Sequence, residues 1–161
     1  MKGYIFDLDG VLVDTAKYHY IAWKTIAKEF NFELTPQHNE QLKGIGREVS
    51  LHQILQWAGK TLSETDFTDT ALRKNKLYLE QISSIDSSEL LPGVLNFLQL
   101  LKAHHKKIAL GSASRNARLV LERTGILPLF DAIVDGTMVS KAKPNPEVFL
   151  KAAEGLGLPP A

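Results

Sequence analysis

The sequence predicts an α/β protein: a parallel-sheet core with an all-helical domain inserted directly after the first strand. Three observations carry this. A short apolar run, Tyr4, Ile5, Phe6 and Leu8, leads into Asp7, Asp9 and Gly10, the pattern of a buried strand whose end opens into a loop. Residues 15 to about 84 then show helical spacing and no strand pattern. Two further apolar runs, Lys107 to Gly111 and Leu129 to Asp135, supply a second and a third strand.

In the first element, Asp7 and Asp9 fall just beyond the carboxyl end of the strand, where open α/β sheets place their ligands. A turn at Gly10 lets both carboxylates approach one point. Two like charges held that close need a cation between them, or one of them must be protonated. Mg²⁺ takes oxygen ligands, keeps several waters and suits chemistry on a phosphate. Taken alone, Asp-x-Asp-Gly also reads as a plain turn.

Asp14 or Thr15 can cap the first helix, which runs to about Phe30; Ala22, Ile26 and Phe30 recur every four residues and give it one apolar face. His19 and Trp23, also four apart, share a neighbouring face. A histidine there is either a packed or solvated side chain or a functional one. Thr35-Pro36 starts a second helical piece that ends in Leu42-Lys43-Gly44-Ile45-Gly46-Arg47. Glycines bracketing Ile45, with Lys43 and Arg47 on either side, make a flexible basic loop able to hold a phosphate or sugar hydroxyls. Leu51, Ile54, Leu55 and Ala58 describe a third helix that stops at Gly59. Phe67, Ala71, Tyr78 and Ile82 describe a longer one from about Glu64 to Ile82, on which Lys74 reads as a solvated lysine. The polar stretch Ser83 to Glu89 is a natural hinge.

Leu91-Pro92-Gly93 precedes a helix whose Val94, Phe97, Leu98 and Leu101 are expected to pack against the sheet. The dense cluster His104-His105-Lys106-Lys107 falls where that helix should end, and cations there complement the helix dipole. The second strand runs into Ser112-Ala113-Ser114-Arg115-Asn116, which is expected to cap the next helix. A strand, a serine-rich turn and a helix N-terminus together form an anion site. After the third strand, Lys143 is followed by two spaced prolines on a stiff loop. Lys141 is its nearby competitor. A last helix is expected from Pro146 to about Gly157.

The string from Asp7 to Thr15 resembles the first motif of the haloacid dehalogenase superfamily, DxDGxxxDT. Asp14 to Lys24 is similar to the DTAxYHxxAWK of β-phosphoglucomutases. The resemblance implies a Rossmann-like catalytic core from residues 1–14 and 85–161, with a helical cap at 15–84 that closes through two hinges. It implies Asp7 as nucleophile forming an aspartyl-phosphate, Asp9 as general acid and base, and Mg²⁺ bound by Asp7 and Asp9. Ser112 matches the second superfamily motif, which binds the transferring phosphoryl group. Lys143, in KPxP, matches the third, which neutralises nucleophile and phosphate. Ser114, Arg115 and Asn116 match positions that hold the second phosphate, Ala113, between Ser112 and Ser114, belongs to the substrate-binding set, and Lys43, Gly44, Ile45 and Arg47 match the substrate-specificity loop. His19 matches a hinge histidine beside the substrate, and Lys74 resembles a cap lysine facing the active site; Thr15 and Trp23 complete the substrate-binding set. The implied reaction interconverts β-D-glucose 1-phosphate and glucose 6-phosphate. The alternatives are a sugar-phosphate phosphatase and an incomplete form that only binds phosphate ligands.

The superfamily pattern also calls for a further strand and an acidic loop that completes the Mg²⁺ site. Neither stands in these residues, and Asp131, Asp135 and Glu147 fall where the pattern places no metal ligands. The sheet is therefore expected to be truncated after its third strand, leaving the first as an exposed edge, a liability for strand exchange. The expected counterparts are a monomer for a longer form and self-association for this chain. The 161 residues, 44% apolar, can bury a modest core plus a small second domain. The absence of cysteine excludes disulfides and thiolate metal sites and fits a reducing compartment. No charged segment followed by an apolar stretch opens the chain, and no run of about 18 apolar residues exists, so a cytoplasmic protein is expected. A net charge of +1 with scattered basic residues gives no footprint for nucleic acid. The expected partner is a small-molecule sugar phosphate.

Overall fold

The computed structural model describes residues 2–160. In chain order the regular elements are β1 (Gly3–Phe6), α1 (Ala16–Glu29), α2 (Pro36–Leu42), α3 (Arg47–Ala58), α4 (Glu64–Ile82), α5 (Val94–Ala103), β2 (Lys107–Gly111), α6 (Ala117–Arg123), β3 (Ala132–Val134) and α7 (Glu147–Gly155). They divide into two compact units, Met1–Asp14 with Ile85–Ala161, and Thr15–Ser84.

The first unit is built on a parallel sheet of order β1-β2-β3, with Phe6 opposite Leu110 and Gly111 opposite Val134. Ile108, Ala109 and Leu110 in the central strand are fully buried. Successive residues of β1 alternate between the two faces. Ile5 joins Ala109, Val134, Val148, Ala152 and Leu156 in the core under α7. Tyr4 and Phe6 point the other way, toward α5, and meet Phe97 edge to face at ring-centre distances of 6.5 and 6.1 Å. Helices thus cover both faces. Leu98 and Leu101 of α5 are buried, and full burial of each is worth about 2 kcal/mol. Phe97, expected on the packed face, is instead 46% exposed. The reason is topological: β1 is an edge strand among the described residues, so no neighbouring strand broadens the sheet beneath that ring.

The third strand is shorter than its apolar run. Leu127–Leu129 forms a 3-10 turn around Pro128, which has no N–H to give to a ladder. Asp131 then closes the ladder with its side chain: its carboxylate accepts the Ile108 N–H at 2.8 Å, while its own N–H donates to the Ile108 carbonyl at 2.7 Å. The last helix starts at Glu147, with Pro146 as its N-cap, and ends at Gly155, short of the expected Gly157, whose φ of +65° breaks the helix.

The second unit is four helices around Trp23, Ile26, Ala27, Leu34, Leu42, Leu51, Ile54, Leu55 and Ala71. Phe30 lies one residue past the end of α1 and packs against this core from outside. Thr35 caps α2 by accepting the His38 N–H, and His38 Nδ1 accepts the Thr35 N–H in return, a capping box with histidine in the usual glutamate position. Thr15 precedes α1 without a side-chain capping bond. Among the described residues no helix is long and apolar enough to cross a membrane.

Candidate functional site

Because β1 and β2 run parallel in register, their carboxyl ends lie side by side, Asp7 following Phe6 and Gly111 following Leu110. Asp7 Oδ1 accepts the N–H of Leu8 at 2.8 Å, and the fully buried Leu8 side chain anchors that amide. The other carboxylate oxygen, Oδ2, lies 3.0 Å from Lys143 Nζ. Lys143 also donates to the Gly111 carbonyl at 3.2 Å and stands 5.1 Å from the centre of the Phe149 ring. One ammonium therefore joins the ends of two strands. The competing Lys141 contributes its backbone N–H to Glu147 at 2.7 Å.

Asp9 sits in a tight turn. Gly10 adopts φ +75°, a conformation that favours glycine, and donates to the Val13 carbonyl at 2.9 Å. The N–H groups of Leu12 and Val13 return to the Leu8 carbonyl at 2.9 and 3.3 Å.

In the serine-rich turn the hydroxyls accept backbone amides two residues on. Buried Ser112 donates its N–H to the Val134 carbonyl at 2.9 Å. Its Oγ accepts the Ser114 N–H at 3.1 Å, and Ser114 Oγ accepts the Asn116 N–H at 3.2 Å. Asn116 makes no side-chain capping bond and α6 is only seven residues long, so the expected helix cap is not formed. Serine hydroxyls compete with helical capping by bonding nearby amides, and each keeps its own hydrogen to donate. Ala113 and Ser114 are half-buried and Arg115 is exposed. Sequence reasoning missed Gly136, which donates to the Ser114 carbonyl at 3.1 Å. A Cβ at that position would collide with the Ala113 carbonyl, so the glycine after the third strand lets two loops close on each other.

Three carboxylates expected to stay out of any metal site are committed elsewhere. Asp131 pairs with Lys102 at 2.8 Å, Asp135 accepts the Thr137 N–H at 2.8 Å, and Glu147 binds the Ser140–Lys141 segment. Among the described residues no three His, Asp or Glu side chains form a group able to hold a metal. Asp7 and Asp9 follow one strand, and such hard oxygen donors suit Mg²⁺, which binds through one or two carboxylates plus phosphate oxygens.

In the helical unit, His19, Trp23 and Lys74 come together. Lys74 Nζ lies 2.9 Å from His19 Nδ1, and 4.8 and 5.1 Å from the ring centres of Trp23 and Tyr78. The His19 ring stacks on Tyr78 at 3.9 Å and 7°. An ammonium has no acceptor, so Nδ1 accepts and the imidazole proton sits on Nε2. Burial first, then the Lys74 and Arg47 cations, hold His19 well below the usual imidazole range. The expectation of a solvated Lys74 is corrected: it is 4% exposed, because the packing of α4 on α1 turns it onto aromatic faces. Arg47 is likewise no loop residue. It opens α3, with Gly46 as N-cap, and donates to Asn75 Oδ1 at 2.8 Å. Of the basic loop, Gly44 has φ +76° and Ile45 packs against the helical core. Lys43 pairs with Glu40 at the surface. Thr15 is buried, and its carbonyl accepts the N–H groups of Tyr18 and His19 at 3.0 and 3.3 Å. Asn75 and the stacking role of Tyr78 had no sequence signal beyond helical spacing.

Fold and side chains define a class: an α/β protein with a strand-end aspartate–lysine pair and an inserted helical unit. The model of the haloacid dehalogenase-like hydrolases matches residues 1–161, and the chain belongs to that family. It is 46% identical over 163 residues to β-phosphoglucomutase of Bacillus subtilis (strain 168), covering all of this chain and 72% of that protein. It is 28% identical to fructose-1-phosphate phosphatase YqaB of Escherichia coli (strain K12), covering 98% of this chain and 81% of that one. The crystal structure of β-phosphoglucomutase from Clostridium difficile superposes with a TM-score of 0.94 at 42% identity, over 98% of this chain and 72% of that one. The chain is thus a homologue of phosphosugar mutases and phosphatases.

Proposed function

We propose that this chain carries the chemistry of a phosphosugar mutase interconverting β-D-glucose 1-phosphate and glucose 6-phosphate. The observation that carries the chemistry is the 3.0 Å pair between Lys143 Nζ and Asp7 Oδ2 at the carboxyl end of the sheet. In this reading Asp7 attacks phosphorus, the bond to the leaving oxygen breaks, and an aspartyl-phosphate forms. Asp9 protonates that oxygen and later takes the proton from the accepting sugar hydroxyl, the two carboxylates dividing roles by environment. Lys143 and the Ser112 hydroxyl offset charge on the transferring group, since phosphoryl transfer depends mainly on positioning and electrostatics. Mg²⁺, held by Asp7 and Asp9, adds further charge compensation when bound.

The choice of mutase rests on the 46% identity to β-phosphoglucomutase and on the paired His19 and Lys74. Phosphatase activity on a sugar phosphate is the second reading, favoured by the YqaB likeness. A coupled assay for glucose 6-phosphate, run on β-glucose 1-phosphate with Mg²⁺ and a trace of the 1,6-bisphosphate while free phosphate is recorded, separates them. Product with little free phosphate supports the mutase. Phosphate alone supports the phosphatase, and silence in both channels refutes turnover by this chain.

A further inference from the structure

We propose that Glu147 is a positioning residue for Lys143: its carboxylate staples the two ends of the 140–147 loop and so holds the lysine ammonium against Asp7. Ser140, Lys141, Ala142, Pro144 and Pro146 are all exposed, so apolar packing does not fix this loop. Polar contacts do. Glu147 Oε1 accepts the Ser140 N–H at 3.0 Å, and Oε2 accepts the Lys141 N–H at 2.7 Å and the Ser140 hydroxyl at 3.1 Å. A second, smaller closure sits inside the first: Asn145 Oδ1 accepts the Glu147 N–H at 3.0 Å, and the Asn145 N–H donates to the Ala142 carbonyl at 3.0 Å. Lys143 lies within both closures.

An acidic residue in the first turn of a helix ordinarily serves the helix, by facing its free N–H groups. Glu147 instead spends both oxygens on amides six and seven residues earlier in the chain. Lys151, one turn on, pairs with Oε1 at 3.0 Å and fixes the carboxylate from the helix side. The Ser140 amide, then Lys151, the Lys141 amide and the Ser140 hydroxyl hold this carboxyl down to about 2, so the staple stays charged throughout the neutral range. Phe149, on the same helix, gives the Lys143 ammonium an aromatic neighbour at 5.1 Å. The carboxylate therefore sets where α7 and the loop meet, and the lysine follows.

The inference rests on Lys143 serving the phosphoryl site, and its test needs no turnover. Reductive methylation followed by peptide mass spectrometry reads how often the Lys143 amine leaves Asp7, with Lys102 as internal reference. In Glu147→Gln the amide NH₂ confronts backbone donors, and Lys143 labelling is expected to rise about threefold or more, since one or two net hydrogen bonds are lost. Lys102 labelling stays unchanged. A folded E147Q variant with wild-type labelling at Lys143 overturns the proposal. Asp7→Asn is the companion arm: no rise there refutes the Asp7–Lys143 pair itself, a failure distinguishable from that of the staple. If E147Q does not fold, amide exchange on the unsubstituted protein decides. Ser140 and Lys141 N–H groups protected despite their exposed segment support the staple, and exchange at the free-chain rate overturns it.

Discussion

The His19–Lys74 pair makes stability depend on pH in a calculable way. Burial and the nearby Lys74 and Arg47 cations lower the folded-state pKa of His19, whereas the unfolded chain titrates near the ordinary imidazole value of about 6.5. Below that value the unfolded state binds a proton that the folded state refuses. Stability is therefore complete above about pH 6.5 and falls with further acidification, at up to about 1.4 kcal/mol per pH unit until the folded pKa is reached. The deficit widens with each step of acidification below the ordinary value until the folded imidazole itself takes up a proton. Urea unfolding of wild type and of His19→Gln over that range isolates the contribution, because other titrating groups are common to both proteins. The wild-type curve should fall more steeply toward acid than that of H19Q. Lys74→Met should recover part of the difference, since it removes the cation 2.9 Å from Nδ1. Superimposable pH profiles for wild type and H19Q, or an imidazole that titrates at or above the ordinary value by NMR, would refute the reasoning.

Three further outcomes are expected. Lys143→Met leaves the Asp7 carboxylate and its phosphorylated form uncompensated and should lower kcat about 10²- to 10³-fold in the assay described above; a loss below tenfold would remove Lys143 from the chemistry. Gly136→Ala forces a Cβ onto the Ala113 carbonyl and should cost about 1–3 kcal/mol in chemical denaturation, with backbone NMR shifts concentrated in residues 112–116; a neutral substitution would contradict the close approach. Among the described residues nothing pairs with the outer edge of β1, which is flanked by exposed Tyr4 and Phe97; residues 1–161 by themselves should therefore show concentration-dependent self-association in light scattering, which Tyr4→Lys weakens. A monomer at every concentration would refute that expectation.

The sheet and helices were legible because their signals are local. A period of four residues placed α1, and a glycine with φ +63° stopped α3 where the sequence said it would. What failed were positions decided by partners distant in sequence. Phe97 carries the right spacing for a core residue, yet its exposure depends on what lies beyond β1. The strand expected to begin at Leu129 begins at Ala132, because a proline and an aspartate side chain complete the ladder in place of backbone. Lys74 looked solvated since lysine usually is. Its burial becomes tolerable only when Trp23 and a neutral His19 from the facing helix join Tyr78, one turn on, around the ammonium, and no single-helix pattern contains that information.

The same distinction applies to the site. Motif spacing nominates Asp7, Ser112 and Lys143, but it cannot say what holds each one still. Asp7 inherits its place from the β1–β2 register and from the buried Leu8 beside it; Ser112 inherits its own from the Val134 carbonyl at the end of β3. Lys143 has no strand behind it. Its loop is solvent-facing and rests on hydrogen bonds to Glu147 and Asn145, each of which loses most of its worth when water can replace it. Of the three groups, the lysine is thus the one whose placement is least secured by the core. Variation in activity among substitutions remote from Asp7 should accordingly concentrate in residues 140–147 rather than in the sheet.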